Sequence, residues 1–394
     1  MRFALRRPRL PGIALAGVLI ATATGAAVQR KDDPKQADKL DQAQRQEVQT
    51  LIQAVDAAMA GQMPASDVTL AMRSDFLKAM EGKTYVPFIV SVESGTLKPG
   101  VAMYLRVVPK GMNAPPPPAP PAGKKDDKAA KDPRPMYPFE DVHFVELKPA
   151  ARATAPAAPG AAPAPAPKPD GKPQVTRAFA VGAGEYDVYV ALRERGPVAP
   201  AGAAGTTGAQ AGAGQAASTA PGSKLVVHKQ TIAVPDFWNN ELTTSSVILA
   251  DQVQQLTAAP GKDQQAEHPY SLGTTEIIPG ADTKFTKAED LNVIFLIYNP
   301  SLNAEKKPDI SVEYNFHQKT GDGEKYFNRT PPQAFSTATL PPNFDLAAGH
   351  QLVAGQSVPL ATFPPGDYRL EIKITDNLAQ KSVTRDVTFS VSGS

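Results

Sequence analysis

Cysteine is absent from the 394 residues, tryptophan occurs once, at Trp238, and histidine occurs five times. Without cysteine the chain cannot form disulfides, thiolate metal sites, a cysteine nucleophile or a lipid-modified N-terminal cysteine. The histidines, at 143, 228, 268, 317 and 350, form no His-x-x-x-His or His-Glu pairing, so no convergent imidazole set for a metal is visible. His317 and Glu313 share a strand face but stand two pleats apart, too far for direct contact. There is no Gly-x-Ser-x-Gly elbow, phosphate-binding glycine loop or Ser-x-x-Lys motif. Glu140 and Asp141 adjoin in the chain but would point to opposite faces of a strand. Asp282, Asp290 and Asp322 lack the Asp-x-Asp-x-Asp spacing of a calcium loop and read as turn acids. The sequence therefore nominates no catalytic, cofactor-binding or metal-binding residue.

Long apolar runs are also missing. The one candidate, Ile13–Ala21, is too short to span a bilayer as a helix. It follows Arg2, Arg6, Arg7 and Arg9 and precedes the small residues Ala23, Gly25, Ala26 and Ala27, which is the layout of a signal peptide over residues 1–27. An uncleaved anchor is the alternative. Removing residues 1–27 takes away four arginines and no acid, so the formal charge moves from +2 to −2. That balance gives no clustered cationic surface for nucleic acid. The expectation is an exported, periplasmic or extracellular protein with no membrane span in the mature chain.

What is abundant is proline, with 40, and glycine, with 29. Much of this sits in three low-complexity stretches, 111–135, 149–174 and 196–223, whose composition buries too little apolar surface to offset ordering entropy. Each falls between strand patterns, so they read as loop expansions, tolerated because closure cost grows slowly with length. Ahead of them, Asp33-Pro34 starts and Gly61 stops an amphipathic helix over 34–61, with Leu40, Val48, Leu51, Ile52, Val55 and Met59 on one stripe. That stripe could dock on the adjoining domain or pair with a partner helix.

From Val68 the period becomes that of strands: Val68–Met72, Tyr85–Val92, Val101–Val108, Phe139–Leu147, Val175–Val181, Tyr186–Leu192 and Leu225–Val234. A second series follows with tighter turns, including Leu291–Tyr298, Ile310–Phe316, Lys325–Phe327, Tyr368–Ile374 and Val383–Val391. The two series match in order. The plainest sign is Gly184-Glu185-Tyr186 against Gly366-Asp367-Tyr368, each opening an alternating strand that leads through a loop into another. The reading is an all-β chain of two sandwich domains, 66–240 and 242–394, preceded by the signal peptide and the helix.

The repeated Gly-x-Tyr resembles the tyrosine corner of immunoglobulin-like sandwiches, with Gly184, Tyr186, Gly366 and Tyr368 as its structural residues. Val188 and Leu370 stand where antibody domains carry a cysteine, as in disulfide-free immunoglobulin and fibronectin type III relatives. The whole chain is similar to uncharacterised secreted proteins of acidobacterial type, on the segments Tyr85-Val86-Pro87-Phe88, Asp236-Phe237-Trp238 and Gly366–Glu371. Related segments resemble those beside von Willebrand A-type domains, but a metal-ion-dependent adhesion motif is lacking, so no ligand site carries over. The resemblance implies tandem immunoglobulin-like β-sandwiches and supplies no activity.

Three functions stay open. The first is non-catalytic contact with a protein or cell-envelope polymer. The second is an enzyme whose site is assembled between the domains. The third is carbohydrate binding by Trp238 with Tyr85 or Tyr326. Phe237 and Trp238, at the domain boundary, are the candidate binding or interdomain residues, with packing between the domains the plainer role.

Overall fold

The computed structural model describes residues 42–112, 136–149, 171–195, 223–261 and 264–393. Residues 1–27, the expected helix start at 34–41 and most of the three low-complexity stretches lie outside them. Helix α1 (Gln42–Met59) comes first and ends before Gly61, whose φ of +83° breaks the helical geometry. It is followed by β1 (Thr69–Ser74), β2 (Leu77–Lys78), β3 (Thr84–Ser94), β4 (Gly100–Pro109), β5 (Phe139–Glu146), β6 (Lys148–Pro149), β7 (Pro173–Val181), β8 (Gly184–Glu194) and β9 (Leu225–Val234). The second unit begins with β10 (Thr243–Thr244), β11 (Ile248–Gln255), β12 (Ser271–Leu272), β13 (Thr275–Pro279), β14 (Lys284–Thr286) and β15 (Asp290–Tyr298). It ends with β16 (Ile310–Thr320), β17 (Gly323–Arg329), β18 (Gln333–Phe335), β19 (Leu352–Pro359), β20 (Gly366–Asp376) and β21 (Lys381–Ser392).

In the first unit β1-β3-β7 form the centre of one sheet and β5-β4-β8-β9 the other. In the second, β11-β15-β19 and β17-β16-β20-β21 repeat these arrangements strand for strand, each neighbouring pair antiparallel. This is an immunoglobulin-like sandwich layout, present twice. Alternation explains each core: Val86, Phe88 and Val90 of β3 face Met103, Leu105, Val188 and Val190 across the first sandwich. Val293, Phe295, Tyr314, Phe316, Leu370 and Ile372 do the same in the second.

Strand β4 is buried on both faces, because α1 lies on its outer side. Leu51 and Val55 of α1 are fully buried there against Ala102, Tyr104, Tyr189 and Ala191. Burial of this kind stabilises by about 1.5–3 kcal/mol for each large side chain.

The two sandwiches meet through the outer faces of the sheets built on β1-β3-β7 and β11-β15-β19. Leu77 and Ile89 of the first unit share a buried cluster with Ile248, Ala250, Leu296 and Tyr298 of the second, and Phe237 sits among them. Polar ties frame it: Arg73 donates to the Gly280 carbonyl at 2.6 Å, and the Phe76 amide donates to Ser246 Oγ at 2.9 Å.

The structure departs from the sequence-based expectations in three places. The second unit is not uniformly tighter: it adds the β12–β13 hairpin and a long passage holding β18 between β17 and β19. Strand β11 is also absent from the sequence reading, because a bulge between Ala250 and Gln252 breaks its apolar alternation. At the edge of the expected 149–174 loop, Pro173 and Gln174 already pair in β7.

Candidate functional site at the junction of the sandwiches

Two side-chain turns shape the boundary segment. Asp236 Oδ1 accepts the Trp238 amide at 2.7 Å and Asn239 Oδ1 accepts the Glu241 amide at 3.0 Å. Between them the chain turns Phe237 inward and Trp238 outward. Phe237 is 2% exposed, its ring centroid 5.0 Å from that of Tyr298. The Tyr298 hydroxyl accepts the Lys78 amide at 3.0 Å, and burial pushes its pKa up.

Trp238 remains 43% exposed, yet one face is occupied: Lys78 Nζ lies 4.3 Å from its ring centroid, and the indole N–H donates to the Lys83 carbonyl at 3.1 Å. Lys78 also donates to Asn299 Oδ1 at 2.8 Å, and Asn299 Nδ2 donates to the carbonyls of Phe237 and Glu241. Burial lowers the Lys78 pKa, partly offset by Asp236.

The other two aromatics do not join this platform. Tyr85 projects from the outer face of β3 into the contact between units, where burial raises its hydroxyl pKa to about 12. Tyr326 is exposed on β17, in the opposite sheet of the second unit, edge-on to His317.

Within the junction lies a buried carboxylate. Asp75 accepts the Tyr270 hydroxyl at 2.7 Å, bridging the two units. Burial raises the Asp75 pKa against the lowering effects of Tyr270 and Arg73. Among the described residues, no group of three or more His, Asp or Glu is placed to hold a metal.

The corner residues differ between copies. Gly184 and Gly366 have φ of +148° and +149°, conformations glycine tolerates, so the backbone entry to the tyrosine strand is duplicated closely. Val188 and Leu370 are both fully buried. Tyr368 Oη donates to the Pro364 carbonyl at 2.6 Å, making the corner bond. The Tyr186 ring lies over Gly184, 3.5 Å from where a Cβ would stand, and its hydroxyl bonds to no group among the described residues. The first corner therefore keeps the backbone turn without the hydrogen bond.

Two further clusters were not nominated from sequence. Glu194 and Asp376 each stand eight residues after the corner tyrosine and are buried. Glu194 accepts the amides of Lys98 and Lys224; Asp376 accepts those of Ser301, Leu378 and Ala379. Each ties the loop before its central strand to the connection after the tyrosine strand. An acid at the same offset in both copies is the sequence signal that would have found them.

The other cluster lies beneath α1. Arg106, 2% exposed, pairs with Asp56 of α1 at 2.5 Å and Glu140 at 3.2 Å, and donates to Tyr104 Oη at 2.7 Å. Tyr104 in turn donates to Glu140, and the Tyr137 ring centroid lies 4.3 Å from the guanidinium. Burial opposes the Arg106 charge, but Tyr104, Asp56 and Glu140 outweigh it and hold its pKa high. Asp141, on the other face, pairs instead with His143 at 3.3 Å, as alternation requires. Its signal was an arginine inside the apolar run Val101–Val108.

No protein-family model and no curated protein matches the chain. Among solved structures, it is similar to an immunoglobulin-like protein from Pseudomonas aeruginosa at 10% identity, over 37% of this chain and 97% of that one, with a TM-score of 0.19. A family 123 glycoside hydrolase from Clostridium perfringens matches at 10% identity over 39% of this chain and 28% of its own, with a TM-score of 0.19. Salmonella alpha-2-macroglobulin reacted with methylamine matches at 12% identity over 84% of this chain and 17% of its own, with a TM-score of 0.18. The chain thus spans nearly all of the first relative and a minor part of the other two. TM-scores this low map no residue of this chain onto a site in those proteins.

Proposed function

We propose that the chain is an exported, non-catalytic binding or structural protein, its two sandwiches at 66–240 and 242–394 acting as one scaffold on a protein or cell-envelope polymer. The observation that carries this reading is the buried junction: Phe237, Ile89, Leu296 and Tyr298 fill the space between the sandwiches, where an interdomain active site would need an opening. Asp75, the carboxylate at that junction with a raised pKa, is spent on a hydrogen bond that joins the units. Among the described residues no helix is long and apolar enough to cross a membrane. Export rests on the charge and apolar layout of residues 1–27.

The test is a screen of the purified mature chain against ester, peptide and glycoside substrates alongside sedimentation with envelope polymers. Binding without turnover is the expected result. Turnover that disappears in Asp75→Asn while the fold persists would replace this reading with the interdomain enzyme. Saccharide binding abolished by Trp238→Ala with unchanged melting would favour the carbohydrate reading, for which the half-exposed indole is the specific support.

A further inference from the structure

The in-register duplication isolates one surface on which the two copies differ in kind. Tyr186 pairs with Pro109 and Tyr368 with Gln318, which aligns β4 with β16 and β8 with β20. On the outer face of this sheet the first copy then carries Ala102, Tyr104, Tyr189 and Ala191, all buried. The second carries Ser311, Glu313, Glu371 and Lys373 at the same positions, all half-buried or exposed. The second sandwich shows that the fold leaves this face to solvent when it is polar. In the first, the face is apolar and α1 fills it.

Helix α1 is an added layer on a complete sandwich. The core between the sheets of the first unit forms one cluster, and the contacts of Leu51, Val55 and Ala58 form another on the far side of β4 and β8. Polar recognition accompanies the apolar contact: Asp56 reaches the buried Arg106, and Glu47 lies 3.7 Å from Arg195. Between Met59 and Thr69 the chain has no helix or strand, and most of residues 60–67 are exposed. Eight such residues extend to about 27 Å, enough to carry the helix off its seat. Helices in proteins draw most of their stability from packing an amphipathic face, and the apolar residues Leu51, Val55 and Ala58 of α1 find that packing in this seat.

We propose that this face is a helix-recognition surface, and that it takes α1 of a second copy of the chain in place of its own. The mode is helix-in-groove, with Leu51 and Val55 as apolar anchors and the Asp56–Arg106 pair setting register. The inference stands whether or not the junction is catalytic.

The absence of native cysteine permits clean labelling. One batch of full-length chain carries a donor dye at Gln53→Cys, an exposed α1 position, and another an acceptor at Glu146→Cys, exposed at the end of β5. Energy transfer should grow after mixing and be suppressed by excess unlabelled peptide of residues 42–61. Asp56→Ala in the labelled helix should speed the exchange at least tenfold. A second full-length variant with a protease site in residues 62–66 separates this from misfolding. After cleavage and displacement of α1 by peptide, far-UV circular dichroism should retain the β signal. No transfer on mixing and no entry of peptide after cleavage would overturn the proposal. So would unfolding of the sandwich once α1 leaves, since α1 would then be part of the core and not an exchangeable occupant.

Discussion

Replacing each corner tyrosine by phenylalanine removes one hydroxyl from nearly identical backbone settings and asks whether the hydrogen bond matters. Tyr368 is fully buried, its ring stacked on Phe389 at 5.3 Å and packed against Phe363 at 5.2 Å, and these contacts survive in phenylalanine. What is lost is the 2.6 Å bond to the Pro364 carbonyl. A net hydrogen bond contributes about 1 kcal/mol, and stranding its partner adds to that when water cannot reach it. Pro364 is an exposed residue, so its carbonyl can recruit water, and the expected cost stays near 1 kcal/mol. For a unit of this size that lowers the melting temperature by about 2–4 °C. Tyr186→Phe should change stability by less than about 0.5 kcal/mol, since its hydroxyl has no hydrogen-bond partner among the described residues. Urea unfolding of both variants, read by circular dichroism, gives the comparison. Equal losses, or a larger loss for Tyr186→Phe, would refute the claim that only the second corner is bonded.

Phe237→Ala should cost about 3–5 kcal/mol, and calorimetry should show the two sandwiches melting at separated temperatures. Trp238→Ala should cost less, because its ring is partly exposed. Asp75 has a raised folded pKa, so its contribution to stability is fully present below the unfolded value of 3.8 and lost as pH rises through the raised value. The melting temperature of Asp75→Asn minus wild type should therefore be more positive at pH 7 than at pH 3.5; a difference independent of pH would count against a strained buried carboxylate. Asp376 is the reverse case: burial opposes its charge, but the amides of Ser301, Ala379 and Leu378 outweigh it and lower the pKa. The loss in Asp376→Asn should accordingly be largest at neutral pH and shrink as pH falls below 3.8, measured by urea midpoints.

The fold was legible where alternation and punctuation agreed. Val101–Val108, Tyr186–Leu192 and Tyr368–Ile374 have the apolar period of strands, and glycine marks the one backbone conformation each tyrosine strand needs at its start. Strand β11 was illegible because its bulge puts Asp251 and Gln252 where an unbroken strand would alternate. Of the junction, Phe237 and Trp238 stood out by type and place, but their opposite orientations depend on the side-chain turns of Asp236 and Asn239. Asp75 and Tyr270 are 195 positions apart, and no local pattern announces a bond that only docking of the two units creates. Arg106 was visible as a charge within an apolar run, yet its meaning depends on a helix that crosses the strand from outside.

The buried acids at the ends of the tyrosine strands bear on how this architecture can evolve. Glu194, the last residue of β8, exchanges bonds with the backbone of Lys224 just before β9, so it clamps the two ends of that connection at their base, while its bond to the Lys98 amide ties in the loop before β4. In the second copy Asp376 clamps a connection that crosses from β20 to β21 in four residues, Asn377–Gln380. A clamp at the root uncouples the length of a connection from the geometry of the strands it joins. The same position can therefore carry a tight turn or an insert of dozens of residues, and it is where a foreign segment could be spliced with the least disturbance to either sandwich.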